Sequence, residues 1–320
     1  MVSLGYHASH EQFAPSELLQ LLYLAEQAKF DGAMSSDHFK PWGPAQGHSG
    51  FAWSWLGAAL QSTQMEMGVI SAPGYRYHPA IIAQGAATLS EMFPERFWLA
   101  LGSGERLNED IVGGNWPGKD ARNLKLAKSA LAIKALLNGD TVTATGEITI
   151  NEAKLYSLPK NRPRVLGAAV TPKSAETIGE WADGLLTVNT TPENLKKVIE
   201  AFKKGGGEGK PLYLQVTLNW DVTDEAALRG AHEQWRFNAL GGDVNWELRS
   251  PEQFDAATLH LKPSDMHDTV RISSSVAQHI DWLSEYAELG FERLYLHQVG
   301  RNQREFIACF GEMVLPYFAA

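Results

Sequence analysis

The strongest constraint on the fold of this chain is a unit that recurs along its whole length. Each unit has a short apolar run, a loop, an amphipathic helical stretch and a tight turn into the next run. The runs predict eight strands, at residues 2–6, 33–36, 67–70, 97–101, 164–167, 185–188, 212–218 and 293–296. Strands that alternate with helices form parallel sheets, and eight such units predict an α/β fold closed into a (β/α)8 TIM barrel. A doubly wound open sheet is the alternative.

The stretches between the predicted strands have helical periodicity. The first helix is expected to open at Pro15-Ser16-Glu17, with Ser16 as the candidate N-cap. The others are predicted at residues 53–61, 80–93, 121–137, 174–181, 192–204, 224–239, 276–289 and 303–318. Two insertions interrupt the repeat: a hairpin at residues 141–156, before strand five, and an irregular stretch at residues 241–271, before helix eight. Insertions on the strand-to-helix side of a barrel usually shape its pocket.

Composition and charge narrow the class of protein. With 44% hydrophobic and 20% charged residues and no linker, the 320-residue chain is expected to form one globular domain over residues 1–320. A net charge of -9 argues against nucleic-acid and anionic-membrane partners. The first 13 residues lack a secretory signal, no stretch is long and apolar enough to span a bilayer, and Cys309 is the only cysteine. These features predict a soluble cytoplasmic protein.

Reactive side chains gather where the predicted strands end. His7 follows strand one, Asp37 and His38 follow strand two, Glu105 follows strand four, and His297 closes strand eight. Barrel enzymes place their chemistry at the carboxyl ends of the strands. A histidine there can exchange a proton near neutral pH, although a hydrogen-bonded wall residue is an equal alternative for each one.

Glycine-rich segments were compared with known phosphate-binding motifs. Residues 102–109 carry two glycines that let a ligand approach the backbone, but Leu107 stands where a dinucleotide fingerprint has its third glycine. Residues 205–211 follow a predicted helix, and Pro211 replaces the Ser or Thr of a phosphate-binding loop, so a turn at the opposite rim is expected. The helix start after strand five, at residues 167–172, is the better candidate for a phosphate.

A metal site is not predicted. His7 and His10 are separated by two residues, whereas metal-dependent barrel hydrolases typically carry two histidines one residue apart after strand one. A metal-dependent hydrolase on the same barrel remains an alternative from a different class of enzyme.

Several motifs together resemble a known family, the luciferase-like flavin and deazaflavin oxidoreductases. The resemblance is strongest to the glucose-6-phosphate dehydrogenase branch that uses coenzyme F420. The motifs span nearly the whole chain in order, at residues 4–15, 36–42, 76–79, 102–109 and 300–306.

The resemblance implies a barrel that binds its cofactor ring at the strand ends and is commonly a homodimer. It implies that His38 is the general base for a substrate hydroxyl, that Glu105 is an acid–base partner and that Trp42 lies beside the ring. It also implies a non-proline cis peptide bond near Val69-Ile70. The residues implied to bind the cofactor are Asp37, Val69, Ile70, Ala72, Ser103, Gly104, Asn108, Ala168, Ala169, Val170 and Thr171.

This chain departs from the branch at the substrate phosphate. The branch uses two lysines there, and the matching positions hold Asn189-Thr190-Thr191 and a residue near Asn245; Arg271 can match the remaining arginine. Each charge-assisted hydrogen bond contributes about 1.5–3 kcal/mol, so glucose 6-phosphate is not the expected substrate. The candidate substrate-binding residues are Asn189, Thr191, Arg271 and His297.

The cofactor loop departs as well, because Val170-Thr171 replaces a Gly-Gly pair. Side chains then occupy space where backbone approached a phosphate, which favours FMN over F420 as in a subgroup that uses an ordinary flavin. The predicted function is hydride transfer between FMN (or F420) and a small organic substrate, with His38 as base and Glu105 as acid or base. An FMN-dependent monooxygenase and a catalytically silent flavin-binding protein are the alternatives within this family.

Overall fold

The computed structural model of the protein describes residues 2–319 and forms a closed barrel of eight parallel strands. Around the ring the order is β1, β2, β3, β4, β7, β8, β9, β11 and back to β1. The ring strands are β1 (Ser3–Ala8), β2 (Gly32–Ser36), β3 (Glu66–Ser71), β4 (Phe97–Leu101), β7 (Arg164–Ala168), β8 (Leu185–Val188), β9 (Leu212–Asn219) and β11 (Arg293–Gln298). The short strand β10 (Arg271–Ile272) pairs with β9 outside the ring. The TIM-barrel prediction is confirmed, and the predicted strand ends are shifted by at most two residues.

Helices follow the strands. They are α1 (Pro15–Gln27), α2 (Ala52–Ser62), α3 (Pro79–Met92), α4 (Arg106–Glu109), α5 (Lys119–Leu137), α6 (Pro172–Gly179), α7 (Pro192–Phe202), α8 (Asp224–Trp235), α9 (Gly242–Asn245), α10 (Pro251–Thr258), α11 (Val276–Glu288), α12 (Gln303–Met313) and α13 (Leu315–Phe318). The longer ones surround the barrel, whereas α4 and α9 contribute residues to a cavity at its carboxyl end. In residues 2–319, no helix has both the length and the apolar character needed to cross a bilayer.

The start of the first helix differs from the prediction. Ala14 precedes the helix and Pro15 is its first residue, so Ser16 is not the N-cap and lies within the first turn. Proline is favoured at the first helical position because its φ is already helical and its missing N–H would have no partner there. It also holds the preceding residue in an extended conformation, and Ala14 has φ -59° and ψ 146°.

An aromatic layer closes the barrel interior below its carboxyl end. Trp98, Tyr213 and Tyr295 are buried there with their rings 5.3–6.1 Å apart, and the Trp98 indole N–H donates to the Tyr295 hydroxyl at 3.1 Å. Gly68 makes room for this layer, because a Cβ at that position would lie 2.0 Å from the Trp98 ring. The filled interior leaves space for a ligand only at the carboxyl ends of the strands.

The first insertion is the predicted hairpin, formed by β5 (Val142–Ala144) and β6 (Ile150–Ala153). The second was predicted as irregular, and this is wrong in part, since it contains α9, α10 and a 3-10 turn over Pro263–Asp268. Ser250 begins α10 by accepting a hydrogen bond from the Gln253 N–H. Phe254 and Met266 are then buried against the end of α8, which explains why this segment is ordered.

The expected cis bond near Val69-Ile70 is absent, because no peptide bond within the described part of the chain is cis. Both residues lie inside β3 and pair with β2 on one side and β4 on the other. A trans backbone at this point maintains both hydrogen-bonded ladders.

Candidate active site

A cavity of about 700 Å³ opens at the carboxyl ends of the barrel strands. Its size is that of pockets which enclose a small-molecule ligand. It brings together most of the residues that the sequence predicted for the site: Asp37, His38, Trp42, Ile70, Ala72, Ser103, Gly104, Glu105, Asn108, Ala168, Ala169, Val170, Thr171, Asn189 and His297. Strand alternation and barrel closure therefore place segments that are distant in sequence around one space.

Three predicted residues do not line the cavity. Val69 is fully buried among the helices around the barrel, because successive side chains of a strand point to opposite faces and its neighbour Ile70 faces inward. Thr191 caps α7 by accepting a hydrogen bond from the Asn194 N–H. Arg271 donates from Nε to the Tyr286 hydroxyl at 2.9 Å and is therefore held away from the cavity. The assignment of these three to ligand binding is corrected accordingly.

His38 lies between two carboxylates. Its Nδ1 forms an ion pair with Glu11, which is 2% exposed, and its Nε2 lies 4.0 Å from the Glu105 carboxylate. Glu11 follows β1 and also accepts a hydrogen bond from the Ser9 hydroxyl at 2.8 Å. The result is a row of three ionisable groups, Glu11, His38 and Glu105, with the last two partly open to the cavity.

The pKa values in this row follow from burial and from the charges beside each group. Burial alone lowers the pKa of His38, but the adjacent Glu11 carboxylate outweighs it and raises that pKa to about 9. Burial acts against ionised Glu11, yet the His38 ring holds its pKa well below the usual value. The pKa of Glu105 is raised by burial, although His38 opposes the shift. His38 is therefore protonated at neutral pH and forms an ion pair with Glu11.

Trp42 forms an aromatic wall next to His38. Its ring stacks on Phe237 at 5.9 Å and meets Phe254 edge to face at 5.3 Å, while His38 lies edge to face at 5.5 Å. Edge-to-face and offset pairs of this kind are favourable and hold the rings in one orientation. The exposed part of Trp42 thus offers a fixed apolar surface beside the reactive imidazole.

The Asp37 carboxylate is buried and already bound by protein donors. It accepts hydrogen bonds from the Ser71 hydroxyl at 2.8 Å, the Trp53 indole at 3.1 Å and the Tyr77 hydroxyl at 3.1 Å. The Arg76 guanidinium lies 3.6 Å away. These contacts fix the loop that carries His38, and the Asp37 backbone is bonded as well, since its N–H donates to the Ile70 carbonyl and its carbonyl accepts from Arg76.

Asn108 has a similar supporting role. Its side-chain oxygen accepts hydrogen bonds from the backbone N–H groups of Phe39 and Lys40, at 2.8 and 3.1 Å, and its amide nitrogen lies 3.4 Å from Glu105. Next to it, burial raises the pKa of Glu109 to about 7, although nearby Arg76 opposes the shift. The hydrogen bonds of Asn108 to Phe39 and Lys40 link the loop after β2 to the loop after β4.

Small residues line part of the cavity. They are Ala72, Gly102, Gly104, Ala168 and Ala169. Gly104 has a φ of +76°, and a Cβ there would lie 2.9 Å from Glu109, so only glycine fits this position without strain. A wall without large side chains has the shape needed to accept a planar ring, and these residues therefore fit a flavin-type cofactor.

The candidate phosphate position is at the start of α6. Thr171 precedes that helix, and its hydroxyl accepts the Ser174 N–H at 3.3 Å, so one donor of the first turn is already used. Lys119 is the only lysine or arginine among the described residues that line the cavity. Its Nζ donates to the Ser103 hydroxyl at 2.7 Å.

Sequence reasoning missed Glu11, Lys119, Gln215 and Trp235, all of which line the cavity. Glu11 could have been found, because an acidic residue directly after the first strand of a barrel lies at the catalytic end. The other three carry no local signal: Gln215 lies inside β9, Lys119 begins α5 and Trp235 ends α8, so their place in the cavity depends on the tertiary fold. Within residues 2–319, no group of three or more His, Cys, Asp or Glu side chains is arranged to hold a metal ion.

A TIM barrel with a carboxylate–histidine pair in a cavity at the strand ends has the architecture of an enzyme. A sequence model of the luciferase-like monooxygenase family matches residues 2–293. The chain therefore belongs to this family.

Two relatives are named F420-dependent glucose-6-phosphate dehydrogenase. The protein from Nakamurella multipartita is 32% identical, with 100% of this chain and 97% of the relative covered, and that from Mycolicibacterium gilvum is 31% identical, with 98% and 97% covered. A solved F420-dependent secondary alcohol dehydrogenase, in complex with an F420-acetone adduct, is 27% identical with a TM-score of 0.92, each chain being 98% covered. The chain is an oxidoreductase of the flavin and deazaflavin type.

Proposed function

We propose that this protein transfers a hydride between coenzyme F420 and a small alcohol or carbonyl compound. The observation that carries the proposal is the Glu11–His38 ion pair, which lies beside Glu105 in a cavity that is lined in part by small residues. Hydride loss from a carbinol carbon requires that the hydroxyl proton is also removed, and a histidine at the cavity edge can accept it.

When bound, the ring cofactor supplies a carbon or nitrogen centre that accepts or releases hydride. In the direction of oxidation, His38 accepts the substrate hydroxyl proton once it has lost its own proton, a state that becomes populated as pH rises toward about 9, and Glu11 stabilises the imidazolium that forms. In the direction of reduction, protonated His38 returns that proton to the carbonyl oxygen. Glu105 is the second acid–base group, and its raised pKa lets it exchange a proton nearer to neutral pH than an ordinary glutamate.

Two lines of support favour F420 over FMN as the cofactor. The two relatives and the solved alcohol dehydrogenase described above all carry F420 in their names. The loop at Val170 and Thr171 points the other way, and FMN is therefore the alternative cofactor. If FMN is the cofactor, the alternative function is that of an FMN-dependent monooxygenase, because reduced flavin also reacts with oxygen.

Titration of the protein with each cofactor, followed by absorbance and fluorescence, tests this choice. We expect tight binding of F420, with its oxidised absorbance lost when an alcohol substrate is added without oxygen. Tight binding of FMN alone, with substrate-dependent oxygen consumption, would contradict the proposal and support the monooxygenase.

We further propose that residues 1–320 act as one catalytic domain that assembles as a homodimer. The support is a set of exposed apolar side chains on the neighbouring helices α3 and α5, namely Ile81, Met92, Leu124 and Leu131. Burial of such side chains against a second copy is favourable. Light scattering on purified protein is expected to give twice the chain mass, and a monomer would contradict this.

A further inference from the structure

Several polar atoms of residues that line the cavity have no protein partner. In the described residues, His7 Nδ1, His297 Nε2 and the Trp235 indole N–H are buried and have no hydrogen-bond partner. The His7 and His297 rings lie 4.1 Å apart, and Trp235 meets His297 edge to face at 4.6 Å. Asn245, which also lines the cavity, has a buried side-chain oxygen without a partner. Buried polar groups are nearly always satisfied, so this group points to a polar ligand.

The fold brings the two histidines together directly. His7 is in β1 and His297 is in β11, two adjacent parallel strands whose register pairs Tyr6 with Leu296. The next residue on each strand is the histidine, so the two rings lie side by side on the inner face of the barrel. Neither ring belongs to the Glu11, His38 and Glu105 row described above.

Hydrogen bonding assigns the tautomer of His297. The Gln215 amide nitrogen lies 3.3 Å from His297 Nδ1, and because an amide N–H donates, Nδ1 is the acceptor. The ring proton is then on Nε2, which becomes a free donor. The Trp235 indole is a second free donor, and the Asn245 oxygen is a free acceptor. Donors and an acceptor in one cavity match hydroxyl groups, which both accept and donate.

The electrostatics of this region favour an uncharged ligand. Burial lowers the pKa of His297 to about 4 and the pKa of His7 well below its usual value, so both rings are neutral at pH 7. Lys119, the single lysine or arginine among the described lining residues, is bound to Ser103. A phosphate placed against neutral histidines would lose its hydration without gaining a charged partner.

We propose that His7, His297, Trp235 and Asn245 form a hydroxyl subsite, and that the substrate is an uncharged polyhydroxylated alcohol or its carbonyl form. This inference rests on the proposed hydride-transfer function. The reacting carbinol lies at His38 and the neighbouring hydroxyl groups bind in the subsite. On oxidation, the carbinol C–H bond breaks and its hydride passes to the cofactor. The O–H proton passes to His38, and a C=O bond forms.

The substrate class can be tested with matched pairs on the F420-loaded enzyme. The pairs are 2-propanol and glycerol, cyclohexanol and myo-inositol, and glucose and glucose 6-phosphate. We expect kcat/KM to be at least about tenfold higher for the neutral polyhydroxylated member of each pair, since each hydrogen bond gained contributes about that factor. A preference for the simple alcohols or for the phosphate, or no turnover of any polyhydroxylated compound with F420 bound, would overturn the subsite.

One variant and a matched control distinguish a loss of substrate binding from a general loss of folding. His297→Phe removes the free donor and keeps an aromatic ring between His7 and Trp235. His279→Phe makes the same change at a second buried histidine, whose ring meets Trp282 edge to face at 5.2 Å outside the cavity. We expect His297→Phe to raise KM for the polyhydroxylated substrate about tenfold and to leave KM for the simple alcohol unchanged. His279→Phe is expected to change neither constant.

Asn245→Leu is the second variant. It removes the free oxygen while keeping the number and branching of the side-chain heavy atoms, and it tests the subsite independently of whether His297→Phe folds. It is expected to raise the same KM without changing the Kd for F420. Equal KM increases for both kinds of alcohol in either folded variant would contradict the subsite. If F420 itself does not bind to the unaltered protein, the proposed function fails, and that result is seen in the cofactor titration before any substrate is added.

Discussion

The cavity contains two groups of histidines that differ in protonation state: His38 is charged, and the pair His7 and His297 is neutral. His38 contacts a buried carboxylate, and its pKa is raised to about 9 against the effect of burial. His7 and His297 are more deeply buried than His38 and contact each other instead of a carboxylate, and burial lowers the pKa of both. The residue type is the same, and the raised pKa of His38 comes from the carboxylate beside it, which the other two histidines lack. The charged histidine is suited to proton transfer, and the neutral pair is suited to binding neutral oxygen atoms.

The largest effect is expected when the charged histidine, His38, is removed. His38→Ala should lower kcat for substrate oxidation on the order of 10²–10⁴-fold, the contribution typical of a positioned acid or base. Binding of F420 should be nearly unchanged, and His279→Ala is the control at a buried histidine outside the cavity. Stopped-flow reduction of bound F420 measures the rate, and a loss of less than threefold would remove His38 from the reaction.

Removal of the carboxylate should make His38 resemble the other two histidines. In Glu11→Gln, burial is opposed only by the weaker effect of the Glu105 carboxylate, so the pKa of His38 should fall from about 9. In the unaltered enzyme, kcat/KM for oxidation is expected to rise with pH through about 9, as His38 loses its proton. In the variant, this rise should move to lower pH. An unchanged profile would show that Glu11 does not control the proton on His38.

The Glu11–His38 ion pair should stabilise the folded protein over a defined pH range. The folded pKa of His38 is raised, so its contribution is fully present below about pH 6.5 and is lost as pH rises through about 9. The folded pKa of Glu11 is depressed, so its contribution is present above about pH 4.3 and is lost as pH falls. Thermal unfolding across pH should show this window in the unaltered protein and lose it in Glu11→Gln.

A new carboxylate should convert a neutral histidine into a charged one. Gln215→Glu places a carboxylate about where the amide now lies, 3.3 Å from His297 Nδ1, and should raise the pKa of His297 from about 4. Histidine NMR measures the shift, and Gln234→Glu, at a buried glutamine that bonds Gln12, is the control. A His297 pKa that stays near 4 would mean that burial, and not the neighbour, dominates.

The smallest effect is expected at Ser36, whose hydroxyl lies 3.4 Å from His7 Nε2. A contact of this length is weak, so Ser36→Ala should change the free energy of unfolding by about 0.5 kcal/mol or less. The KM for a polyhydroxylated substrate should change less than about twofold. A larger increase in KM would show that Ser36 orients His7 for substrate binding.

The barrel could be predicted from the sequence because its evidence is local and repeated. Phe97–Leu101 and Leu185–Val188 are predicted with the observed ends, since parallel strands buried on both faces are short continuous apolar runs. The cavity position of Glu105 and His297 followed from the rule that barrel chemistry lies at the strand ends.

Other parts depend on tertiary contacts that no local pattern reveals. Trp235 reaches the cavity because α8 ends against the segment that contains Phe254, and Arg271 is kept out because Tyr286 binds it. The partner of His38 was not predicted either, since the contact with Glu11 is set by how β1 and β2 lie next to each other. Sequence spacing alone could suggest that His38 is reactive but could not assign its protonation state.

The central claim concerns which histidines carry a proton, and NMR of isotope-labelled histidine across pH measures this directly. In the unaltered protein, the His38 ring is expected to titrate near pH 9, while the His297 ring stays neutral until the pH falls to about 4. His38→Ala and His297→Phe assign the two signals. A His38 ring that is already neutral at pH 7, or a His297 ring that is already protonated there, would contradict the division of the cavity into a proton-transfer side and a neutral binding side.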